Sequence, residues 1–376
     1  MSGGRLPDAA TPPAAEDSPP RDEPSAPREG EQIDGERLRP FLAATWPGLA
    51  GPIEVLQFRK GHSNLTYLVR AGAREAVLRR APFGAAVRTA HDMRREFTLL
   101  SALQGVYPLA PRPVAFCDDE AVVGARFYLM ERVRGVVLRG TSLPPGVDLP
   151  PGRMRRLSGA LVDGLADLHA LDLGRTGLAA LGRPEGYLAR QVKGWTDRWR
   201  AARTDEVPEV EAAAAWIARS APAEGGAALV HNDYKHDNLV LDPADLTRIV
   251  AVLDWEMATV GDPLLDLGTT LGYWIDPDDP EEVRALPFGP TALPGNLSRL
   301  EVVERYAARS GRATGPMLFQ YVFALFKIAV IAQQIYRRFA EGKTRDPRFG
   351  AMIVGVRILG AQAARALDRG RIDRLG

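Results

Sequence analysis

The stretch from Leu229 to Gly268, LVHNDYKHDNLVLDPADLTRIVAVLDWEMATVGDPLLDLG, constrains what this chain can fold into more than any other. His231, Asp233 and Asn238 stand at the spacing H-x-D-x-x-x-x-N, Asp254 follows the run IVAVL and heads DWE, and Asp266 heads DLG. The apolar runs LVL after Asn238 and IVAVL before Asp254 read as two short paired strands. Pairing them brings Asn238 and Asp254 together.

That spacing suits phosphoryl transfer. A carboxylate must accept the proton of an attacking hydroxyl or orient that hydroxyl, and Asp233 is placed for it. Asn238 and Asp254 offer the hard oxygen ligands that Mg²⁺ takes where it bridges nucleotide phosphates. Lys235, two residues after Asp233, is spaced to point its ammonium at a transferring phosphate. His231 stays open between two roles, a chemical group and a packed histidine that holds the loop.

A chain of 376 residues suggests two lobes, each able to bury a core. With 48 basic and 47 acidic residues, nothing asks for nucleic acid or an anionic membrane as partner. A lone cysteine, Cys117, excludes a disulfide framework and a cysteine zinc site. Together with the lack of an apolar leader, this fits a reducing cytoplasm. The run Met317 to Phe339 has the length of a membrane span, but Gln320, Lys327, Gln333 and Gln334 interrupt it. It reads as a buried helix instead.

Residues 1–30 are proline-rich without apolar periodicity and read as a disordered tail. Residues 31–131 read as a small lobe. A helix is expected from Glu31 to Leu49, followed by strands at 53–58, 64–69 and 75–79. The turn KGHSNLTY joins the first two strands; Gly61 allows tight backbone, and Ser63 and Asn64 offer short polar groups to phosphates. The third strand ends in AVLRR, which puts Arg79 where a cation can face a nucleotide. Glu96, seventeen residues on in an amphipathic helix, is spaced to pair with it, as a site element or as a surface salt bridge. After strands at 111–116 and 127–131, the segment MERVRG crosses to the second lobe. Its backbone near Glu131 to Val133 can hydrogen-bond an adenine ring.

Residues 132–376 read as a larger helical lobe. His169 closes the first long helix as a capping or packed residue. A proline- and aspartate-rich loop, GYWIDPDDPEEVRALPFGPTALPGN, follows the catalytic segment. Its acidic run, Asp276 to Glu282, reads as a solvated surface, with the wall of a substrate pocket as the alternative.

Several pieces taken together resemble a known family: GHSNLTYLV, VLRRAP, YLARQVKGW, HNDYKHDNLV, VLDWEMATVGDPLLDLG and FKIAVIAQQIYRRFAEG. They are similar to the aminoglycoside-phosphotransferase-like branch of the protein-kinase-like fold. The subgroup is that of the phosphotransferase-like domains fused to acyl-CoA dehydrogenases. The resemblance implies an α+β, two-lobed fold, with a small antiparallel-sheet N-lobe and a larger helical C-lobe. It implies Asp233 as catalytic base and Asn238 and Asp254 as Mg²⁺ ligands. Arg79 stands where a lysine is usual, partnered by Glu96, and Ser63 and Asn64 match the nucleotide loop. Asp266 is implied to brace the loop after DWE. Family members usually read HGD, and Asn232 in place of glycine suggests that the backbone there has no glycine-only conformation. The implied activity is ATP- and Mg²⁺-dependent phosphorylation of a small-molecule hydroxyl, with a hydroxyacyl-CoA or hydroxy acid suggested by the fused relatives. An antibiotic phosphotransferase acting on aminoglycosides or macrolides is the first alternative, for which the acidic loop would supply carboxylates. A non-catalytic nucleotide-binding module is the second, motivated by Arg79 and Asn232.

Overall fold

A computed structural model describes residues 23–59, 64–82, 92–344 and 346–376. Its first part is a five-stranded antiparallel sheet: β1 (Ile53–Gln57), β2 (Leu65–Ala71), β3 (Arg74–Arg80), β4 (Pro113–Cys117) and β5 (Phe127–Met130). The spatial order is β1-β2-β3-β5-β4. Register places Thr66, Arg79 and Tyr128 side by side across the three middle strands.

Two helices cover this sheet, α1 (Gly35–Thr45) and α2 (Met93–Leu103). The expected helix over 31–49 is shorter because the Asp34 carboxylate caps the Glu36 N–H at 2.9 Å. At the other end Pro47 and Gly48, with φ +76°, stop it. Asp92 caps α2 by accepting from Arg95 N–H, which fixes the helix phase that turns Glu96 inward. The tail expected through residue 30 is ordered where it is described: Ser25 exchanges backbone hydrogen bonds with Gln57 at the edge of β1.

The chain then crosses at Gly135. Val136 and Leu241 exchange backbone hydrogen bonds of 2.9 and 2.8 Å. A Cβ on Gly135 would lie 2.3 Å from the Leu241 carbonyl oxygen, so only glycine allows this approach.

The second lobe contains α3 (Pro151–His169), α4 (Leu173–Thr176), α5 (Tyr187–Ala202) and α6 (Pro208–Arg219). The functional segment follows as two small antiparallel ribbons. β6 (Ala228–Val230) pairs with β9 (Thr259–Gly261), and β7 (Leu239–Leu241) pairs with β8 (Ile249–Val252). Then come α7 (Pro263–Gly272), α8 (Glu281–Arg284), α9 (Arg299–Ser310), α10 (Leu318–Ala340), α11 (Pro347–Gly350) and α12 (Met352–Arg369). α10 is long and apolar enough to span a membrane, but it packs against α5, α6, α7 and α12 and is mostly buried. A second stretch, Pro347–Arg369, also has that length and apolar composition and is less buried.

The acidic loop is solvated only in part: Asp278, Glu281 and Glu282 are exposed as its composition suggests, but two of its carboxylates are not. Asp276 and Asp279 are buried against Arg299, whose side chain is itself fully buried. Arg299 forms a fork with Asp279 at 2.6 and 2.7 Å and reaches the Ile372 carbonyl at 2.6 Å. These carboxylates are spent on tying the loop to α9 and the C-terminal residues.

Candidate active site

The turn between β6 and the 3₁₀ segment His236–Asn238 carries the catalytic-loop residues. His231 is fully buried. Its Nε2 lies 3.0 Å from the Leu253 carbonyl, and its Nδ1 accepts from Asp233 N–H at 3.3 Å. That pattern assigns the neutral tautomer with the proton on Nε2, and burial holds the imidazole pKa down. His231 is therefore the packed histidine of the two readings.

Asn232 has φ +66°. The position does demand the left-handed conformation, contrary to what its occupant suggests from sequence. Asparagine tolerates that region better than other non-glycine residues. Here its side chain adds bonds glycine lacks, accepting from Tyr187 O–H at 3.2 Å and donating to the Met257 carbonyl at 3.1 Å.

Asp266 braces this turn rather than the loop after DWE. Its carboxylate accepts from His231 N–H and Asn232 N–H, both at 2.7 Å, and meets His169 Nε2 at 3.0 Å. Burial opposes its charge, but these donors outweigh burial and hold the carboxyl below its ordinary pKa. His169, packed as expected, has its Nδ1 2.7 Å from the Tyr306 hydroxyl.

Asp233 sits at the centre. Its Oδ1 is 3.1 Å from Lys235 Nζ, and its Oδ2 accepts from Asn238 Nδ2 at 2.9 Å. Burial, with the Asp233 charge nearby, raises the pKa of the Tyr273 phenol. Lys235 also lies 4.3 Å above the Tyr273 ring. Burial works against its charge, yet Tyr273, Asp233 and Asp237 more than offset that, and its pKa is raised. Because Asn238 Nδ2 is taken up by Asp233, the amide oxygen is what it can give a metal. The Asn238 carbonyl accepts from Leu253 N–H at 2.7 Å, which sets Asn238 beside Asp254. Asp254 too is left-handed, with φ +66°.

Arg79 reaches this cluster from β3. Its Nε is 3.3 Å from Glu96, and one terminal nitrogen is 3.0 Å from Asp254 and 3.6 Å from Glu256. Arg79 and Glu96 are buried, so the surface-bridge alternative is out. Asn64 donates to Glu256 at 2.7 Å. Ser63 lies outside the described residues. Glu131 and Val133 line the cleft between the lobes. Glu131 N–H is already given to the Arg112 carbonyl at 2.8 Å. Its own carbonyl and Val133 N–H are the groups left for a ring edge.

The cleft has a volume of about 450 Å³ and is walled by both lobes. It includes residues to which the sequence motifs do not point. Glu256 stands two residues after Asp254, in plain view within DWE. Asp237 immediately precedes Asn238; burial raises its pKa, and its Oδ1 has no partner among the described residues. Arg139, Met257, Tyr273, Ile331 and Ile335 complete the wall. No short-range sequence signal points to Ile331 or Ile335, which arrive from α10 through tertiary packing.

A cleft between a five-stranded sheet and a helical body, with these residues at its floor, defines the protein-kinase-like two-lobed fold. The model of the phosphotransferase enzyme family matches residues 54–300, and the chain belongs to that family. Among similar proteins, acyl-CoA dehydrogenase family member 10 of Mus musculus is 34% identical over 295 residues, covering 78% of this chain and 27% of that protein. Family member 11 of Rattus norvegicus is 33% identical over 326 residues, covering 83% and 40%. The chain thus spans well under half the length of these relatives. A Ralstonia eutropha structure assigned as an aminoglycoside phosphotransferase superposes with a TM-score of 0.72 at 30% identity, covering 89% of this chain and 99% of that one. Choline kinase from Cryptosporidium parvum, at 12% identity and TM-score 0.62 over 91% and 98%, shares the fold.

Proposed function

We propose that this chain transfers the γ-phosphoryl group of ATP to a hydroxyl of a small molecule. What carries the reading is the Asp233 carboxylate, held between Lys235 and Asn238 on the floor of the cleft. Asp233 takes the proton of the acceptor hydroxyl as its oxygen bonds to phosphorus, and the bond to the ADP oxygen breaks. The products are a phosphate monoester and ADP. Lys235 faces the charge that develops on the transferring group, and Arg79 offers its cation from β3.

Among the described residues no group of three or more histidines, cysteines and carboxylates could hold a metal alone. Mg²⁺ does not need one, since it takes one or two protein oxygens and completes its shell with phosphate and water. The Asp254 carboxylate and the Asn238 amide oxygen fit that demand, and the ion would supply charge neutralisation at the phosphates.

The acceptor wall of Met257, Tyr273, Ile331 and Ile335 is largely apolar, which suits an alcohol with a hydrocarbon body. The dehydrogenases named among the relatives act in support of a hydroxyacyl thioester or hydroxy acid. The antibiotic reading is less favoured, because Asp276 and Asp279 are bound to Arg299 and none of the loop's carboxylates lines the cleft. The test is D233A assayed for ADP release over a panel of hydroxyacyl-CoA and free hydroxy acids. Turnover should vanish while Mg·ATP still raises the melting temperature; turnover that persists refutes the assignment.

A further inference from the structure

Lys327 is a buried ion that the proposed chemistry does not use. It lies in the middle of α10, 3% exposed, with Nζ 2.8 Å from the Asn232 carbonyl oxygen and 5.7 Å from the Trp195 ring centre. An apolar side chain would pack this helix without removing an ammonium from water. Burial lowers its pKa to about 8; Asp233 and Asp266 act to raise it, and Lys235 and Arg198 to lower it. The chain keeps this ion against stability.

What the ion touches gives the reason. Every other polar atom of Asn232 is held: its N–H by Asp266, its Oδ1 by Tyr187, its Nδ2 by the Met257 carbonyl. Lys327 alone acts on the carbonyl of the peptide that joins Asn232 to Asp233. In a left-handed residue, the tilt of that plane sets the direction in which the next side chain leaves. One and two turns further along α10, on the same face, Ile331 and Ile335 line the cleft. A single helix therefore backs both the cleft wall and the peptide before Asp233.

We propose that Lys327 is a positioning residue, whose ammonium fixes the Asn232–Asp233 peptide and so aims the Asp233 carboxylate at the acceptor. This rests on Asp233 being the base. The test is K327M, which keeps the length of the stem and removes the charge. We expect kcat to fall about 10- to 100-fold, KM for ATP to stay within about threefold, and the melting temperature to be no lower than wild type. Amide hydrogen exchange across residues 231–238 should speed up with the rest of the lobe unchanged. In the wild type kcat should decline as pH rises through about 8, and that limb should be absent in the variant. Wild-type kcat in K327M, or unaltered exchange at 231–238, overturns the proposal. K327L, which also lacks a donor, gives the same two readouts should K327M not fold. If the wild type transfers no phosphate, the base assignment fails, and the exchange measurement still decides whether Lys327 holds the turn.

Discussion

Replacing Arg79 tests the charge cluster at the cleft floor. The guanidinium faces Glu96 at 3.3 Å, Asp254 at 3.0 Å and Glu256 at 3.6 Å. Glu96 is only 3% exposed, and burial keeps its pKa raised even with Arg79 beside it. In R79M that carboxylate loses its close cation. Removing one partner of a buried ion pair costs about 3–5 kcal/mol. E96Q is milder, because Arg79 keeps two carboxylates; a lost charge-assisted contact costs about 1–3 kcal/mol. In the double variant nothing at position 96 needs a cation, so the two losses overlap. The expected coupling is about 2 kcal/mol, well beyond the 0.5 kcal/mol or so within which independent sites add. Urea unfolding of the four proteins measures it. Additive losses, or E96Q more damaging than R79M, would refute the reasoning.

Two further substitutions probe the loop. His236 is buried with its Nε2 unpartnered among the described residues, and burial lowers its pKa from 6.5 to about 4. As pH falls the unfolded chain takes up that proton first, so this stabilisation is complete above about 6.5 and is lost as pH drops through about 4. The full span is about 3 kcal/mol; urea titrations of nucleotide-free protein at several pH values should show it, and H236L should abolish it. At Asn232, N232G keeps the left-handed turn and loses the Tyr187 and Met257 bonds, for about 1–2 kcal/mol. N232V places a β-branched residue at positive φ and should lose more stability and nearly all turnover; equal melting temperatures for the two would count against the turn.

The parts legible in sequence were those with local signals. The pattern H-x-D-x-x-x-x-N and the two β-branched runs placed Asp233, Asn238 and Asp254 correctly relative to one another, because β7 and β8 are close in the chain. Arg79 and Glu96 needed only a strand and a helix phase. The charge of Asp276 and Asp279 misled because their cation, Arg299, lies two dozen residues on, and composition cannot show that a carboxylate is already paired. Asp266 could not be assigned to the 231–232 turn, since nothing in spacing says which of two neighbouring loops a buried carboxylate will hold. Lys327 was read only as an argument against a membrane span, because its partner is a backbone carbonyl, which leaves no trace in a side-chain pattern.

The arginine at position 79 and the glutamate at 256 explain each other. Glu96, Asp254 and Glu256 all approach the Arg79 guanidinium, at 3.3, 3.0 and 3.6 Å. A lysine there would be a compact ammonium on a single stem. The guanidinium lies 3.3 Å from Glu96 at Nε while a terminal nitrogen reaches Asp254 and Glu256, and Asn64 donates to Glu256. A carboxylate at 256 beside Asp254 thus asks for the wider fork.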